Sequence, residues 1–307
     1  MHVHRVGTSG LELSELGLGT FDWGSRVDDS TAQQLLDTYA QAGGTVLELP
    51  AFASPAADVL GRLTVSDEIT VCARVGVAQR GDEPVLSLSR QQVLRQTREL
   101  LQRMNRQHID VLVLDGFDAR TPLEETASAL DTLLGSGDIG YIACAYHAGW
   151  QLAAVAGAGI PVAAAFNERS LLERSAETDV APAADYLGIG MVAGAALGRG
   201  ALSGQYLRGV PAQSRAAVHQ DGYMQRYLSE DARRIVAGVC KAASSLEIAP
   251  VDVALAWTRS QAPACSLISP RTVDQLEQLL GSDADLQPEI VQVLDQISDP
   301  AVDDPTA

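Results

Sequence analysis

Short apolar runs alternate along the chain with longer segments of helical period. Eight of these runs predict strands, and their sequences are LGLGT, GTVLEL, EITVCARV, IDVLVLD, GYIACAY, IPVAAAF, LGIGMVAG and PACSLIS. Amphipathic stretches between them predict helices, at residues 30–42, 89–104, 122–135, 176–187 and 229–246. Strands and helices in alternation indicate βαβ units on a parallel sheet, and eight strands predict an α/β fold of the (β/α)8 TIM barrel type.

An open, doubly wound sheet is the main alternative to the barrel. It is less favoured because no GxGxxG turn joins the first strand to its helix. Three segments fall outside the regular alternation. We expect residues 2–13 to form an N-terminal β-hairpin that caps the barrel floor, residues 198–228 to form a long loop, and residues 299–307 to be a disordered acidic tail. Residues 1–298 are then predicted to form a single barrel domain.

Charge and hydropathy narrow the classes of partner. The chain has 307 residues, of which 46% are hydrophobic, and it carries 39 acidic and 22 basic side chains for a formal net charge of −17. This charge would repel phosphate backbones and anionic lipids over most of the surface, so we expect no nucleic acid partner. No apolar run approaches the roughly 18 residues of a membrane span, and the N-terminus lacks a signal-peptide pattern. We therefore expect no membrane partner and a cytoplasmic location.

Cysteines and histidines do not form a metal-binding pattern. The four cysteines stand singly, with no CxxC pairing, at Cys72, Cys144, Cys240 and Cys265. Their spacing favours buried free thiols over disulfides or metal ligands. His2 and His4 form an HxH pair without a third ligand nearby, which favours an exposed strand edge. The sequence predicts no metal site.

Five segments resemble the aldo-keto reductase superfamily, in the order in which that family has them. They are LGLGTFDWG, VLRQTRELLQRM with HIDVLVLDGFDARTPLEETASALDTLLGSGDIGYI, SLLERSAE, LGIGMVAGAALGRGALSGQYLRG, and VALAW with LISPRTVDQLEQ. The resemblance runs from about Val3 to Ile297 and implies an eightfold barrel. It also implies carbonyl reduction by NADP(H), in which a Tyr donates the proton, an Asp–Lys pair lowers the pKa of that Tyr, and a His orients the carbonyl.

All four catalytic positions that the resemblance implies carry other residues. Glu48 stands at the Asp position, and Ala53 stands at the Tyr position, or Phe52 if the gap in this loop is placed differently. Arg74 stands at the Lys position and Asp115 at the His position. Because neither Ala53 nor Phe52 has a hydroxyl, we expect the proton donor of the family to be missing.

Of the cofactor-binding positions that the resemblance implies, those for the nicotinamide and the adenine carry other residues, and those for the phosphates are largely kept. Ala145, Tyr146, Phe166 and Gly194 replace the residues that bind the nicotinamide, and Leu279 replaces an Asn that contacts the adenine. The phosphate end keeps Leu197, Gly198, Arg199, Gly200, Arg271, Thr272 and Gln275. The two arginines of this set could bind phosphate or pair with neighbouring acids. We therefore expect no cofactor, with NADP(H) bound weakly if at all.

Three functions are open at this point. The first is a pseudoenzyme that binds an unknown small molecule or a protein partner, favoured because loss of a general acid removes roughly 10²–10⁴-fold of the rate. The second is an enzyme with changed chemistry, in which Glu48, Arg74 and Asp115 serve proton transfer or hold a cationic or polar ligand; a structural ion cluster would explain the same residues. The third is an NADP-dependent oxidoreductase with a non-standard proton donor, Tyr146 or His147.

Overall fold

An antiparallel hairpin begins the structure, a computed structural model that describes residues 1–80, 83–212, 214–218 and 224–299. Its strands are β1 (Val3–Arg5) and β2 (Glu12–Ser14). Leu13 is fully buried in the same apolar cluster as the residues that fill the barrel. The Thr8 N–H donates to the Gly188 carbonyl (2.8 Å) and the Ser14 N–H to Thr45 Oγ1 (3.0 Å), just before two barrel strands begin. The predicted hairpin cap over the barrel floor is confirmed.

Eight of the remaining strands close into a parallel barrel, as predicted. In chain order the strands after β2 are β3 (Leu16–Gly19), β4 (Val46–Glu48), β5 (Thr70–Val75), β6 (Val77–Arg80), β7 (Glu83–Leu86), β8 (Ile109–Asp115), β9 (Ile139–Ala145), β10 (Val162–Glu168), β11 (Gly190–Gly194) and β12 (Cys265–Ile268). All except β6 and β7 belong to the barrel, in which each strand pairs with the next barrel strand and β12 pairs with β3. Strands β6 and β7 form a hairpin that the sequence reading did not predict.

Helices pack around the barrel, and the short helix at Arg215–Val218 lies beside its mouth. They are α1 (Asp29–Gln41), α2 (Ala56–Leu60), α3 (Arg90–Arg103), α4 (Leu123–Ser136), α5 (Gly149–Gly157), α6 (Val180–Leu187), α7 (Arg215–Val218), α8 (Glu230–Leu246), α9 (Pro250–Ser260), α10 (Val273–Leu280) and α11 (Pro288–Ile297). Four of the five predicted helical stretches are confirmed, each within about one residue at both ends. The stretch 176–187 is instead a 3₁₀ turn (Ser175–Glu177) followed by α6, because Asp179 between them leaves helical geometry.

Side chains alternate between the inside of the barrel and the helix layer. On β8, Val111 and Val113 belong to the inner cluster, whereas Leu112 and Leu114 pack under the helices. Successive strand residues point to opposite faces, so position 115 faces inward again at the carboxyl end. The same alternation directs positions 48, 74 and 168 into the barrel mouth.

The segment predicted as a long loop, 198–228, is more structured than expected where the structure describes it. It contains 3₁₀ turns at Gly198–Ser203 and Gln225–Leu228 and the short helix α7, while residues 213 and 219–223 lie outside the described residues. Of the predicted disordered tail, residues 300–307 also lie outside them. The domain boundary at residue 298 stays a prediction.

Thiols and histidines lie where the sequence indicated. Three free cysteines are buried and the fourth, Cys240, is half-buried. His2 and His4 are exposed at the start of the chain. In the part of the chain that the structure describes, helices long and apolar enough to span a membrane do not occur.

Candidate functional site

A cavity of about 440 Å³ opens at the carboxyl ends of the barrel strands. This volume lies within the range of small-molecule sites, about 300–1,000 Å³. Glu48 of β4, Arg74 of β5, Asp115 of β8 and Glu168 of β10 line it from the barrel side. Barrel proteins carry their chemistry at this end, so the cavity is the candidate site.

Glu48, Arg74 and Asp115 meet in this cavity and are called the mouth cluster below. Arg74 Nε donates to Glu48 Oε1 (2.7 Å), and Arg74 Nη1 donates to Asp115 Oδ1 (2.9 Å). All three side chains are only 9–10% exposed. The guanidinium therefore bridges two carboxylates from neighbouring strands.

Burial and pairing act against each other in the mouth cluster. Burial raises the pKa of Glu48, and Arg74 opposes this shift without cancelling it. Burial lowers the pKa of Arg74, but Glu48, Tyr146 and Asp115 more than offset that effect and hold the pKa of Arg74 above its ordinary value. Arg74 is thus a permanent cation, while burial makes the ionised form of Glu48 less favourable than that of a carboxyl in water.

Ala53 and Phe52, at the Tyr position that the resemblance implies, do not join the mouth cluster. Neither is among the residues that line the cavity. Ala53 is exposed, and Phe52 packs against the core with its carbonyl accepting from Arg103 Nη1 (2.7 Å). Arg103 also donates to the Ser54 carbonyl (2.5 Å), so one guanidinium fixes the backbone of this loop.

The nicotinamide positions are filled by apolar side chains and one tyrosine. Ala145 and Phe166 are buried in the inner barrel cluster and offer no polar side-chain atom. Tyr146 has a left-handed backbone (φ 57°), and its N–H donates to the Phe166 carbonyl (3.0 Å). Its ring lies over Arg74, with Cζ 5.1 Å from the ring centre, and burial raises the pKa of its hydroxyl. These side chains do not fit a nicotinamide carboxamide.

His147 lies away from the mouth cavity. It is 1% exposed, Nδ1 lies 2.9 Å from the Ala145 carbonyl, and its ring packs edge-on against Phe117. It lines a separate cavity of about 350 Å³ between the end of β10 and the start of α6. Burial lowers the pKa of His147. His147 does not line the mouth cavity, although Tyr146 and Glu168 line both cavities, and its role as a proton donor stays a prediction.

The glycine-rich part of the phosphate end forms the 3₁₀ turn at Gly198–Ser203. Leu197, Arg199 and Gly200 line the mouth cavity, whereas Gly198 is buried beside Leu172. Arg199 makes an ion pair with Glu168, so the alternative in which it pairs with a neighbouring acid is the one observed.

The remaining phosphate-end residues cap helix α10. Thr272 Oγ1 accepts from the Gln275 N–H (3.2 Å), and Gln275 Oε1 accepts from the Arg271 N–H (2.9 Å). Arg271 and Gln275 line the cavity, and Thr272 does not. The sequence signature retained here thus has a capping role that needs no ligand.

Glu168 is the central acid of the cavity wall, and the sequence reading missed it. It accepts hydrogen bonds from Arg199, Arg226 and the Tyr227 hydroxyl. Burial and the Glu168 carboxylate raise the pKa of Tyr227 to about 12, which keeps the hydroxyl protonated. The inward positions 164, 166 and 168 of β10 would have indicated this acid.

Asp22 and Arg215 form a second pair that the sequence reading missed. Arg215 Nη2 lies 3.0 Å from Asp22 Oδ2, and its guanidinium stacks on Phe21 at 4.9 Å. Burial lowers the pKa of nearby Arg271, as do the neighbouring Arg26 and Arg215. This side of the cavity is therefore rich in arginine, unlike the mouth cluster. No sequence pattern links residues 22 and 215.

Metal ligation finds no support in the described ranges, where His, Cys, Asp and Glu side chains do not gather in groups of three or more that could hold an ion.

Comparison with known proteins gives one family. The sequence model of the Aldo/keto reductase family matches residues 15–299. A similar protein from Bacillus subtilis (strain 168), named "Uncharacterized oxidoreductase YrpG", is 28% identical, with 97% of this chain and 96% of that protein aligned. Two plant proteins named "Probable voltage-gated potassium channel subunit beta" are each 25% identical, one from Arabidopsis thaliana (89% of this chain and 88% of that protein) and one from Oryza sativa subsp. japonica (97% and 96%).

Proposed function

The chain belongs to the aldo/keto reductase family, and from that premise we propose that it has lost NADP(H)-dependent carbonyl reduction and acts by binding a ligand in the mouth cavity. The observation that carries the proposal is the mouth cluster. Carbonyl reduction develops negative charge on oxygen, which a site must stabilise with donors or positive charge. Here two carboxylates face the cavity for one guanidinium, and neither Phe52 nor Ala53 has a hydroxyl to donate a proton.

Weak binding of NADP(H) belongs to the same proposal. Ala145 and Phe166 cannot hydrogen-bond a carboxamide through their side chains, and Arg199 is engaged by Glu168. A buried polar group of the ligand that finds no partner costs about 1–3 kcal/mol. Together these losses support an affinity well below that of a working reductase.

The occupant that we propose is a small molecule rather than a protein. The site is a concave cavity with charged walls, which suits a ligand that enters it. Two relatives are named as potassium channel subunits, which would favour a protein partner, but their names concern those proteins. A partner protein would need a broad contact surface, whereas the mouth cavity is a concave site of the size that small molecules occupy.

A second candidate function is proton-transfer chemistry at the mouth cluster. Glu48 favours it, because a buried carboxyl with a raised pKa beside a fixed cation is typical of catalytic acids. Incubation of a metabolite mixture with the wild type and with Glu48→Gln would test it. Compounds consumed by the wild type alone would support an enzyme, whereas identical profiles would speak for binding only.

Loss of reductase activity is tested by NADPH consumption on a panel of aldehydes and ketones. We expect rates indistinguishable from the protein-free blank, and a dissociation constant for NADPH weaker than about 1 μM, a free energy of binding of about −8.2 kcal/mol. Tyr146→Phe serves as the matched variant. Turnover by the wild type that this variant lacks would identify Tyr146 as the donor and overturn the proposal.

A further inference from the structure

The mouth cluster is short of positive charge. It contains one guanidinium and two carboxylates, each side chain only 9–10% exposed, for a formal charge of −1 with both acids ionised. Charges taken out of water are tolerated when they are paired and hydrogen-bonded. One Arg74 cannot neutralise two carboxylates, so the cluster is incomplete as a self-contained ion network.

Each carboxylate also has an oxygen left over. Arg74 binds Oε1 of Glu48 and Oδ1 of Asp115. Within the described part of the chain, no hydrogen bond reaches Glu48 Oε2 or Asp115 Oδ2. Both residues line the mouth cavity, and Glu48 is 7% exposed. Two acceptor atoms of a buried, negatively charged group therefore lie at a cavity wall.

The surroundings of these oxygens favour a positive group. The ring of Tyr146 also lines the cavity and already lies over the Arg74 guanidinium, and aromatic faces attract cations. An added cation near Glu48 would favour its ionised form, which burial disfavours. An anion at the same place would be repelled by the two carboxylates.

We propose that the mouth cluster binds the protonated amino group of a small ligand, with Glu48 Oε2 and Asp115 Oδ2 as acceptors. An ammonium group has three donors on one compact atom and no acceptor, which matches carboxylate oxygens that line one cavity. Hydrogen bonds between charged groups are the strong ones. The inference rests on the proposed ligand-binding function and adds to it the chemical class of the ligand.

Another part of the cavity wall favours a different ligand. Arg215 and Arg271 line it, and arginines suit carboxylate or phosphate groups. The competing outcome is therefore an anionic ligand that binds these arginines without contacting the mouth cluster. An experiment that separates the two outcomes compares ligands that differ only in charge.

A charge series on the wild-type protein makes that separation. The probes are n-butylamine, n-butanol and butyrate, which share a short chain and differ in the charge of one end. Titrations followed by ligand-observed NMR should give n-butylamine an affinity at least tenfold higher than n-butanol, with butyrate weakest. Equal affinities, tightest binding of butyrate, or no binding of n-butylamine would each overturn the proposal.

Variants locate the binding. Glu48→Gln and Asp115→Asn should each weaken n-butylamine binding at least tenfold and leave n-butanol unchanged. Glu99→Gln is the matched control, because it removes the same charge from a partly exposed helix residue outside the cavity. The net charge of −17 attracts cations to the whole surface, and this control measures that effect. A loss as large in Glu99→Gln, or none in the cluster variants, would contradict the site.

Two readouts keep this inference separate from the proposed function. If a cluster variant does not fold, the charge series on the wild type decides alone. NADPH consumption is measured on the same preparation. Absence of amine binding without reductase activity overturns only the ligand class, whereas robust reductase activity overturns the proposed function whatever the amines do.

Discussion

At the scale of single residues, Arg74 holds together two carboxylates that would otherwise repel each other. Arg74 donates to Glu48 and to Asp115 from two different nitrogens, and the aromatic ring of Tyr146 lies over its guanidinium. The three charges therefore act as a unit, and removing the cation has a different effect from removing the acids. This difference separates a structural ion cluster from a ligand site.

Arg74→Ala should lower the free energy of unfolding by about 3–5 kcal/mol, because it leaves two buried carboxylates without a counter-charge. The double variant Glu48→Gln with Asp115→Asn removes the excess negative charge and keeps the side-chain shapes. We expect its melting temperature to equal or exceed that of the wild type, since binding sites are shaped at the expense of stability. Chemical denaturation of the three proteins measures both effects.

The double variant is the decisive member of that set. A loss of several kcal/mol in it would identify the mouth cluster as a structural network and remove the case for a ligand there. The surface variant Glu99→Gln, which changes charge without touching the cavity, should unfold like the wild type.

At the scale of elements, strand periodicity made the barrel and part of the site predictable. Along the run that contains Val111, Val113 and Asp115, alternate residues face the inside of the barrel, so the inward acid at the strand end could be expected. Glu48 and Arg74 follow the same rule on β4 and β5. That these side chains meet at the barrel mouth could thus be predicted from the sequence. Their function has not been tested and stays a prediction.

Elements without periodicity were not predictable. The β6–β7 hairpin has four residues in each strand, too few for a pattern to distinguish it from a loop. The pairing of Asp22 with Arg215 depends on where the segment after β11 crosses the barrel mouth, and loop paths leave no periodic signal. Glu168 is different, because the alternation of side chains along β10 indicates its inward position from the sequence.

The Glu168 side chain connects β10 to both 3₁₀ turns of the segment that follows β11. Glu168→Gln should release these turns, Gly198–Ser203 and Gln225–Leu228, because Arg199, Arg226 and Tyr227 would lose a buried charged partner. We expect hydrogen exchange of the turns to rise at least tenfold, while β10 itself changes little.

Glu173→Gln is the matched control for Glu168→Gln. Glu173 accepts from Arg226 Nη1 (2.5 Å), and its hydrogen bonds do not include Arg199 or Tyr227. It should affect the second turn weakly and the first not at all. Equal exchange in both variants would mean that the turns are held by packing rather than by Glu168.

At the scale of the whole molecule, the two ends of the barrel have different tasks. The floor is closed by the N-terminal hairpin, whose Val6, Leu11 and Leu13 complete the inner cluster. The mouth carries the charged cavity. In barrels, residues at the floor serve stability and residues at the mouth serve function, so changes at one end should leave the other intact.

Leu13→Ala tests this division. The side chain is fully buried, so its truncation should lower the free energy of unfolding by about 2–5 kcal/mol through lost burial and the cavity left behind. Val3→Ala, on the exposed side of the same hairpin, is the control and should change stability by less than about 0.5 kcal/mol. Below the unfolding transition, n-butylamine should bind Leu13→Ala as it binds the wild type. A weakened affinity in the folded variant would show that floor packing and mouth geometry are coupled along the strands, and the two ends could no longer be treated as independent.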